Sequence, residues 1–335
     1  MRTIPDTQNA LLVLPLTPAL LQDPGPLLPT VYQAAHHATS TLTVVFSTPS
    51  GPQLYPALRA APRVHWDAFQ HFLGKVYAAL AAGHWGAGHI LVDVEVRFDG
   101  EPGDWKHKLL AKPDVVAFLD APAIIEAAAA GVTQHLVPTP KLPSAAGDLS
   151  ETAPAPGYPE TAIGGTFDHL HAAHKLLINT QLFVTEKRMF VGVISDSLLA
   201  SKSNAKLVDK LDRRIADVKA FLQRCGPGDV FPDVAEIHDG LGPTAWDPSF
   251  TGLVVSRETM TGGKEVNRVR SEKGLGALDI LSVDVISSTV ASDGDDVLHT
   301  VDLGEVDDAQ LKNLKMGSTA IREWMAAHPQ QTTRP

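Results

Sequence analysis

The sequence predicts an α/β protein with a Rossmann-like doubly wound parallel sheet, preceded by a second, mixed α/β region. Short Val-, Ile- and Leu-rich runs alternate with longer helical patterns over residues 161–286, and such alternation buries a parallel sheet under helices on both faces. Similar apolar runs occupy residues 1–136. Between the two sets, residues 137–160 read VPTPKLPSAAGDLSETAPAPGYPE, with six prolines among Ser, Gly, Asp and Glu. That is the composition of an extended linker. The expected organisation is an N-terminal α/β region over 1–136, a linker over 137–160 and a Rossmann-like doubly wound region over 161–330. A chain of 335 residues is long enough for two cores.

In the first region, Leu11–Leu16, Thr41–Phe46, His89–Val96 and Val115–Leu119 read as strands. Trp66–Ala82 has helical spacing, with Phe69, Phe72, Leu73, Val76, Tyr77 and Leu80 on one face. Ala121–Ala130 is alanine-rich and helical by propensity. His36 and His37 read as a solvated helix face. In the second region Ala162–Thr166, Met189–Ile194, Val234–Ile237, Gly252–Val255 and Leu278–Ile286 read as strands. His171–Val184, Lys206–Arg224, Gly263–Glu272 and Gly317–Ala327 read as helices, the second amphipathic and closed by Gly226. Residues 287–314 are polar and acidic and read as an irregular insertion.

Composition excludes several classes. The formal net charge of −10 argues against a protein that holds nucleic acid through its overall field. Cys225 is the only cysteine, so no intrachain disulfide forms and a cytoplasmic or nuclear setting is expected. The apolar run Leu11–Leu14 is interrupted by Pro15 and lacks a small-residue cleavage site. No apolar stretch approaches the roughly 18 residues of a membrane span.

The most informative segment is Gly164-Gly165-Thr166-Phe167-Asp168-His169-Leu170-His171-Ala172-Ala173-His174. A strand that ends in glycines and turns into a helix offers bare backbone N–H groups to an anion. His171 and His174, three apart, then share one helix face. The spacing HxHxxH is also zinc-ligand-like. No fourth ligand is apparent nearby, so no metal site is assigned, and His169 reads as a turn or surface histidine.

This segment resembles the signature of the HxGH nucleotidyltransferase superfamily, and most closely its eukaryotic-type phosphopantetheine adenylyltransferases, where alanine is common at the third position of the tetrad, here Ala173. Four further blocks agree in order and spacing over 161–325: Val191–Val193 leading to Lys202; Leu241–Thr244 before Asp247-Pro248; Val254–Thr259 leading to Gly262-Gly263, Asn267 and Arg270; and Lys315–Arg322, similar to a KxSSTxxR motif. The N-terminal run LLVLPLTPALL loosely resembles the leader of the bifunctional animal CoA synthases.

The resemblance implies transfer of AMP from ATP to 4'-phosphopantetheine, giving 3'-dephospho-CoA and pyrophosphate in coenzyme A biosynthesis, with Mg2+ accompanying ATP. It also implies roles. His174 stabilises the transition state, with His171 beside it. Lys202 bridges the reacting phosphates. Gly165, Thr166 and Phe167 line the place where the substrates meet. Ser256, Arg257 and Glu258 line the nucleotide pocket at a strand's carboxyl end, and Ser318 and Thr319 hold phosphates at a helix start. Gly317 stands where the motif usually has serine, which removes one hydroxyl. Ile286–Thr289 matches ISST more literally but is followed by VASDGDD, which cannot open a helix cleanly. Gly262-Gly263-Lys264 lacks the first glycine and the Ser/Thr of a phosphate loop.

The alternatives are another superfamily activity, on nicotinamide mononucleotide or a cytidylyl transfer, and a non-catalytic scaffold of CoA synthesis. The first region shows no nucleophile constellation or metal spacing. It is expected to be structural or to dock other enzymes of CoA biosynthesis.

Overall fold

The structure, a computed structural model, describes residues 5–48, 53–102, 115–119, 133–136, 154–225, 228–284 and 317–331. The alanine-rich stretch Ala121–Ala130, most of the proline-rich segment, and the insertion at 287–314 with the Ile286–Thr289 decoy lie outside the described residues.

Along the first half run β1 (Thr7–Pro15), α1 (Pro18–Gln22), α2 (Leu28–His37), β2 (Ala38–Ser47), α3 (Leu54–Ala60), α4 (Trp66–Gly86), β3 (Asp93–Phe98), β4 (Val115–Leu119) and β5 (Thr133–Leu136). The second half contains β6 (Tyr158–Gly165), α5 (Ala172–Val184), β7 (Thr185–Ile194), α6 (Leu211–Cys225), β8 (Phe231–Ile237), β9 (Gly252–Ser256), α7 (Met260–Glu272), β10 (Asp279–Val283) and α8 (Ser318–Ala327). Each half contributes one five-stranded parallel sheet, ordered β3-β2-β1-β4-β5 and β10-β9-β6-β7-β8. In both sheets the first strand is central and the chain winds outward on one side, then the other. The α/β doubly wound architecture is therefore present, and the first half repeats the strand order of the second.

The central strands read as near-continuous apolar runs because they are buried on both faces. In β1, Leu11 to Leu14 are all buried, and Leu12 pairs with Val44 on one side and Phe118 on the other. In β6, Ile163 lies opposite Val191, and Thr161 lies opposite Gly252.

Several element boundaries differ from the sequence reading, each for a local reason. β6 begins at Tyr158, inside the proline-rich segment, because Tyr158 pairs with Thr185 and is buried, its ring 4.9 Å from the Arg63 guanidinium. β3 begins at Asp93 rather than His89. α4 runs on to Gly86, the chain turns at Gly88 (φ 75°), and the His89 imidazole is held by the Ala38 carbonyl at 3.1 Å. α6 begins at Leu211, not Lys206. The Leu207 carbonyl, which a longer helix would need, is bonded to His169 Nε2 at 2.8 Å, and the Asp209 N–H donates to Asp168 Oδ1 at 2.9 Å. Lys206 and Leu207 sit instead in a short 3-10 turn over Ala205–Leu207.

The halves share a core. Leu12, Phe46, Phe72 and Phe98 belong to the same buried cluster as Phe183, Val184, Val254 and Val283. The Phe69 and Phe183 rings stack with centroids 3.7 Å apart. Within the first half, α2 crosses α4 closely at Gly83: a Cβ there would collide with the Tyr32 carbonyl oxygen and lie 2.7 Å from Ala35 Cβ. A glycine inside a helix normally costs stability, and here it permits that approach. Gly83→Ala is expected to destabilise the protein by about 1–3 kcal/mol through overpacking, read as a lowered urea midpoint with an unchanged m-value. A neutral or stabilising result would mean that α2 and α4 are farther apart.

Candidate active site

The carboxyl ends of β6, β7, β9 and β10 and the start of α8 surround one cleft of about 520 Å³. This is where open parallel sheets place ligands. Thr166, His171, His174, Lys202, Ser256, Glu258, Ser318 and Thr319 all line it. The bonded pair His171 and Ser318 is 147 positions apart in the sequence.

The histidine segment departs from the expected glycine turn. Gly164 and Gly165 are the last residues of β6, opposite Gly192 and Val193. The reversal is made by Phe167 (φ 51°) and His169 (φ 49°), both left-handed without being glycine. Such residues persist only where their surroundings over-determine them. The Phe167 side chain is buried in the core with Ile163, Ile178 and Val191, so only its backbone is left for the cleft. Asp168 is fully buried. Its carboxylate accepts from Arg322 Nη1 at 2.5 Å and from the Asp209 N–H.

His171 is the N-cap of α5, and His174 is its third residue. Their rings stack with centroids 3.9 Å apart, and Phe167 packs 5.2 Å from His174. His171 Nε2 lies 3.2 Å from Ser318 Oγ, which itself donates to the Asp168 carbonyl at 2.9 Å. His169 is directed elsewhere, toward the Leu207 carbonyl and, at 3.2 Å, Asp209. The HxHxxH histidines therefore do not converge as a zinc set. Asp168, His169 and Asp209 do cluster, with ligand-type atoms within 4.8 Å of one another, but Arg322 pairs with the Asp168 carboxylate.

Lys202 is exposed, on the loop between β7 and α6. Three buried groups hold that loop. The Ser203 carbonyl accepts from Arg322 Nε at 3.0 Å, the Leu207 carbonyl is held by His169, and Arg214 reaches in from α6. Arg214 does not pair with acids on its own helix. Its guanidinium donates to the Thr166 and Ile194 carbonyls at 2.7 and 2.8 Å, joining the ends of β6 and β7, and to Asp196 at 2.7 Å. Burial disfavours the Asp196 carboxylate, but the bonds from Arg214 and the Leu211 N–H outweigh it and hold its pKa below the usual value.

Gly165 and Arg257 do not line the cleft; Arg257 is exposed in the 3-10 turn after β9. Asn267 and Arg270 are structural. Asn267 exchanges hydrogen bonds with Leu278 at 2.9 and 2.8 Å, and buried Arg270 donates to the Thr244 and Asp247 carbonyls, both at 2.8 Å. Sequence reasoning missed Asp284 and Glu323, which line the cleft with the apolar wall of Ala173, Leu176, Leu177 and Val283. Asp284 directly follows β10, a position the strand-end rule would have flagged.

The chain is similar in sequence to several known proteins. Residues 162–322 match a family model described as cytidylyltransferase-like. The chain is 39% identical over 126 residues to a phosphopantetheine adenylyltransferase of Saccharomyces cerevisiae, covering 38% of this chain and 41% of that protein. It is 34% identical over 166 residues to an uncharacterized protein of Schizosaccharomyces pombe, covering 50% and 48%. A phosphopantetheine adenylyltransferase of Thermococcus kodakarensis is 34% identical over 131 residues, covering 39% of this chain and 78% of the relative. The matched stretch thus spans less than half of either fungal relative. A crystal structure of an Archaeoglobus fulgidus protein of unknown function matches with 31% identity and a TM-score of 0.33, covering 37% of this chain and 97% of that one. Fold and cleft define a cytidylyltransferase-like α/β protein. Within that class, the chain belongs to the phosphopantetheine adenylyltransferase family.

Gly317 is the N-cap of α8, in extended conformation (φ −108°), with no side-chain cap and no atom within 4 Å of an added Cβ. Gly317→Ser should therefore fit and raise stability by a few tenths, about 0.3 kcal/mol. The measurement is the urea midpoint, expected to rise slightly with an unchanged m-value. A fall would show that α8 depends on the bare glycine.

Proposed function

We propose that this protein transfers the adenylyl group of MgATP to 4'-phosphopantetheine, releasing pyrophosphate and forming 3'-dephospho-CoA. The carrying observation is the convergence of His171, His174, Lys202 and Ser318 on one cleft, in a chain whose relatives are named for this transfer. The cleft volume lies within the range of roughly 300–1,000 Å³ common for small-molecule sites.

The acceptor is a phosphate monoester whose second pKa is about 6, so it is largely dianionic at neutral pH. It needs no general base. Its oxygen attacks the α-phosphorus, and the bond to the β-phosphate oxygen breaks in line. Catalysis then depends on positioning and on neutralising charge. In this reading His174 donates to an α-phosphate oxygen from the first turn of α5, and His171 supports it. Lys202 bridges the acceptor phosphate and the α-phosphate. Ser318, Thr319 and the open N–H groups of α8 receive the β- and γ-phosphates, whose charge the accompanying Mg2+ shares. Thr166 lies where the two substrates meet. Ser256 and Glu258 face the nucleoside. The apolar wall of Ala173, Leu176, Leu177 and Val283 suits an uncharged pantetheine chain or a base.

Among the described residues no helix is long and apolar enough to cross a membrane. Burial pushes the Cys225 thiol up to about 11. We place the reaction in the cytoplasm, with the nucleus as a second setting. Docking of other CoA-biosynthesis enzymes on the N-terminal half belongs to the same proposal.

The test is pyrophosphate release from MgATP with 4'-phosphopantetheine, against nicotinamide mononucleotide and choline phosphate. Turnover with the first alone is expected, and turnover confined to either of the others would overturn the reading. His174→Ala should lower kcat by about 10²–10³-fold, as loss of one transition-state donor does, with KM for MgATP little changed. A variant with near-normal kcat would remove His174 from this role.

A further inference from the structure

β3 carries the sequence Asp93-Val94-Glu95-Val96-Arg97-Phe98. Alternation puts Val94, Val96 and Phe98 on one face and the three charges on the other. A charged face on an edge strand ordinarily meets water. Here Glu95 and Arg97 are only 8% and 2% exposed. What covers them is the second half of the chain. Arg224 of α6 reaches Glu95 and, at 3.3 Å, Asp93. Lys175 of α5, 1% exposed, donates to Asp93 and to the Val94 carbonyl at 2.9 Å.

Lys175 follows His174 directly. A lysine beside a phosphate-facing histidine invites assignment to the substrate. Its ammonium is instead turned away from the cleft and used as a strut to β3. The other end of α5 is held in the same way. No glycine cap follows α5, since β7 starts at Thr185, and Arg59 of α3 donates to the carbonyls of Leu182, Phe183 and Thr185. A cation on those carbonyls also complements the helix dipole. Midway, Asn179 donates to the Tyr77 hydroxyl at 2.9 Å. Across the cleft, Gln70 of α4 exchanges hydrogen bonds with Asp284 at 3.4 and 3.3 Å.

Apolar packing alone would hold the halves together, and buried ion pairs are weak contributors to stability. Directional bonds at both ends of a helix do something packing does not: they fix its rotation. A side-chain tip lies about 5–6 Å from a helix axis, so a rotation of about 10° moves it about 1 Å. A displacement of that size can lower a rate about 10²-fold.

We propose that the N-terminal half is a positioning element of the nucleotide site, in which Asp93 through Lys175, with Arg59 at the far end, sets the rotation of α5 and so the placement of His171 and His174, while Gln70 holds the opposite wall. Asp93, Arg59 and Gln70 are positioning residues; none touches substrate. The inference rests on the adenylyl-transfer reading of the cleft, but its test separates the two.

In the 335-residue chain, Asp93→Ala is expected to lower kcat about tenfold or more while the KM values for MgATP and acceptor stay within about threefold. Asp93→Asn, which keeps an acceptor oxygen, should recover some of the lost kcat. Amide exchange at residues 172–177 should quicken in Asp93→Ala, with β6 and β7 unaffected. An unchanged kcat overturns the proposal, and so does exchange that rises evenly over the whole chain, which marks simple destabilisation. If Asp93→Ala does not fold, Asp93→Asn carries the test, and a kcat equal to wild type overturns it. Wild type that fails to turn over 4'-phosphopantetheine sinks the reading of the reaction. The exchange pattern at 172–177 then still decides positioning, local quickening supporting it and no change overturning it.

Discussion

A carboxylate with no exposed surface survives only when it is paired and hydrogen-bonded. Asp168 satisfies that demand with Arg322, and the position of both residues makes the pair the keystone of the cleft. Asp168 follows the strand that leads to the histidine helix. Arg322 lies on the last helix, 154 positions away. The same guanidinium donates to the Ser203 carbonyl, next to Lys202, and the backbone of Asp168 accepts from Ser318. A single buried ion pair thus brings together three separate segments: the histidine turn, the lysine loop and the Ser-Thr helix start. The left-handed conformations of Phe167 and His169 follow from it, since the turn must deliver the Asp168 carboxylate inward while the chain proceeds to α5.

Arg214 has the matching role a layer deeper. It joins the carbonyl ends of β6 and β7 and anchors the loop that carries Lys202. Arg214 lies outside the cleft; Arg322 lines it, but its guanidinium is bonded to Asp168, Ser203 and Thr319. Lys175 belongs to the same pattern, a cation beside the site used to hold the frame. The first half, with its matching strand order, completes that frame through β3 and α4.

The alternation of strands and helices was legible because periodicity is a local property, and so was the histidine helix, because a glycine-ended strand followed by HxxH at helical spacing has few other uses. The cleft residues His171, His174, Lys202 and Ser318 could be named from motif order. The boundaries were less legible wherever long-range bonds decided them. Nothing local says that His169 will take the Leu207 carbonyl and shorten α6, or that Tyr158 will extend β6 into a proline-rich stretch. The charged face of β3 was illegible for the same reason: Glu95 and Arg97 look like solvent residues until another element covers them. Arg322 and Arg214 were visible as charges, but their partners lie on other segments.

The most direct measurement is a double-mutant cycle on Asp168→Asn and Arg322→Gln, following both unfolding free energy and the Kd for MgATP. If the pair assembles the cleft, each single variant weakens MgATP binding, and the coupling energy in stability reaches about 2 kcal/mol or more. Additive effects on stability, with MgATP binding unchanged in either single variant, would contradict that account.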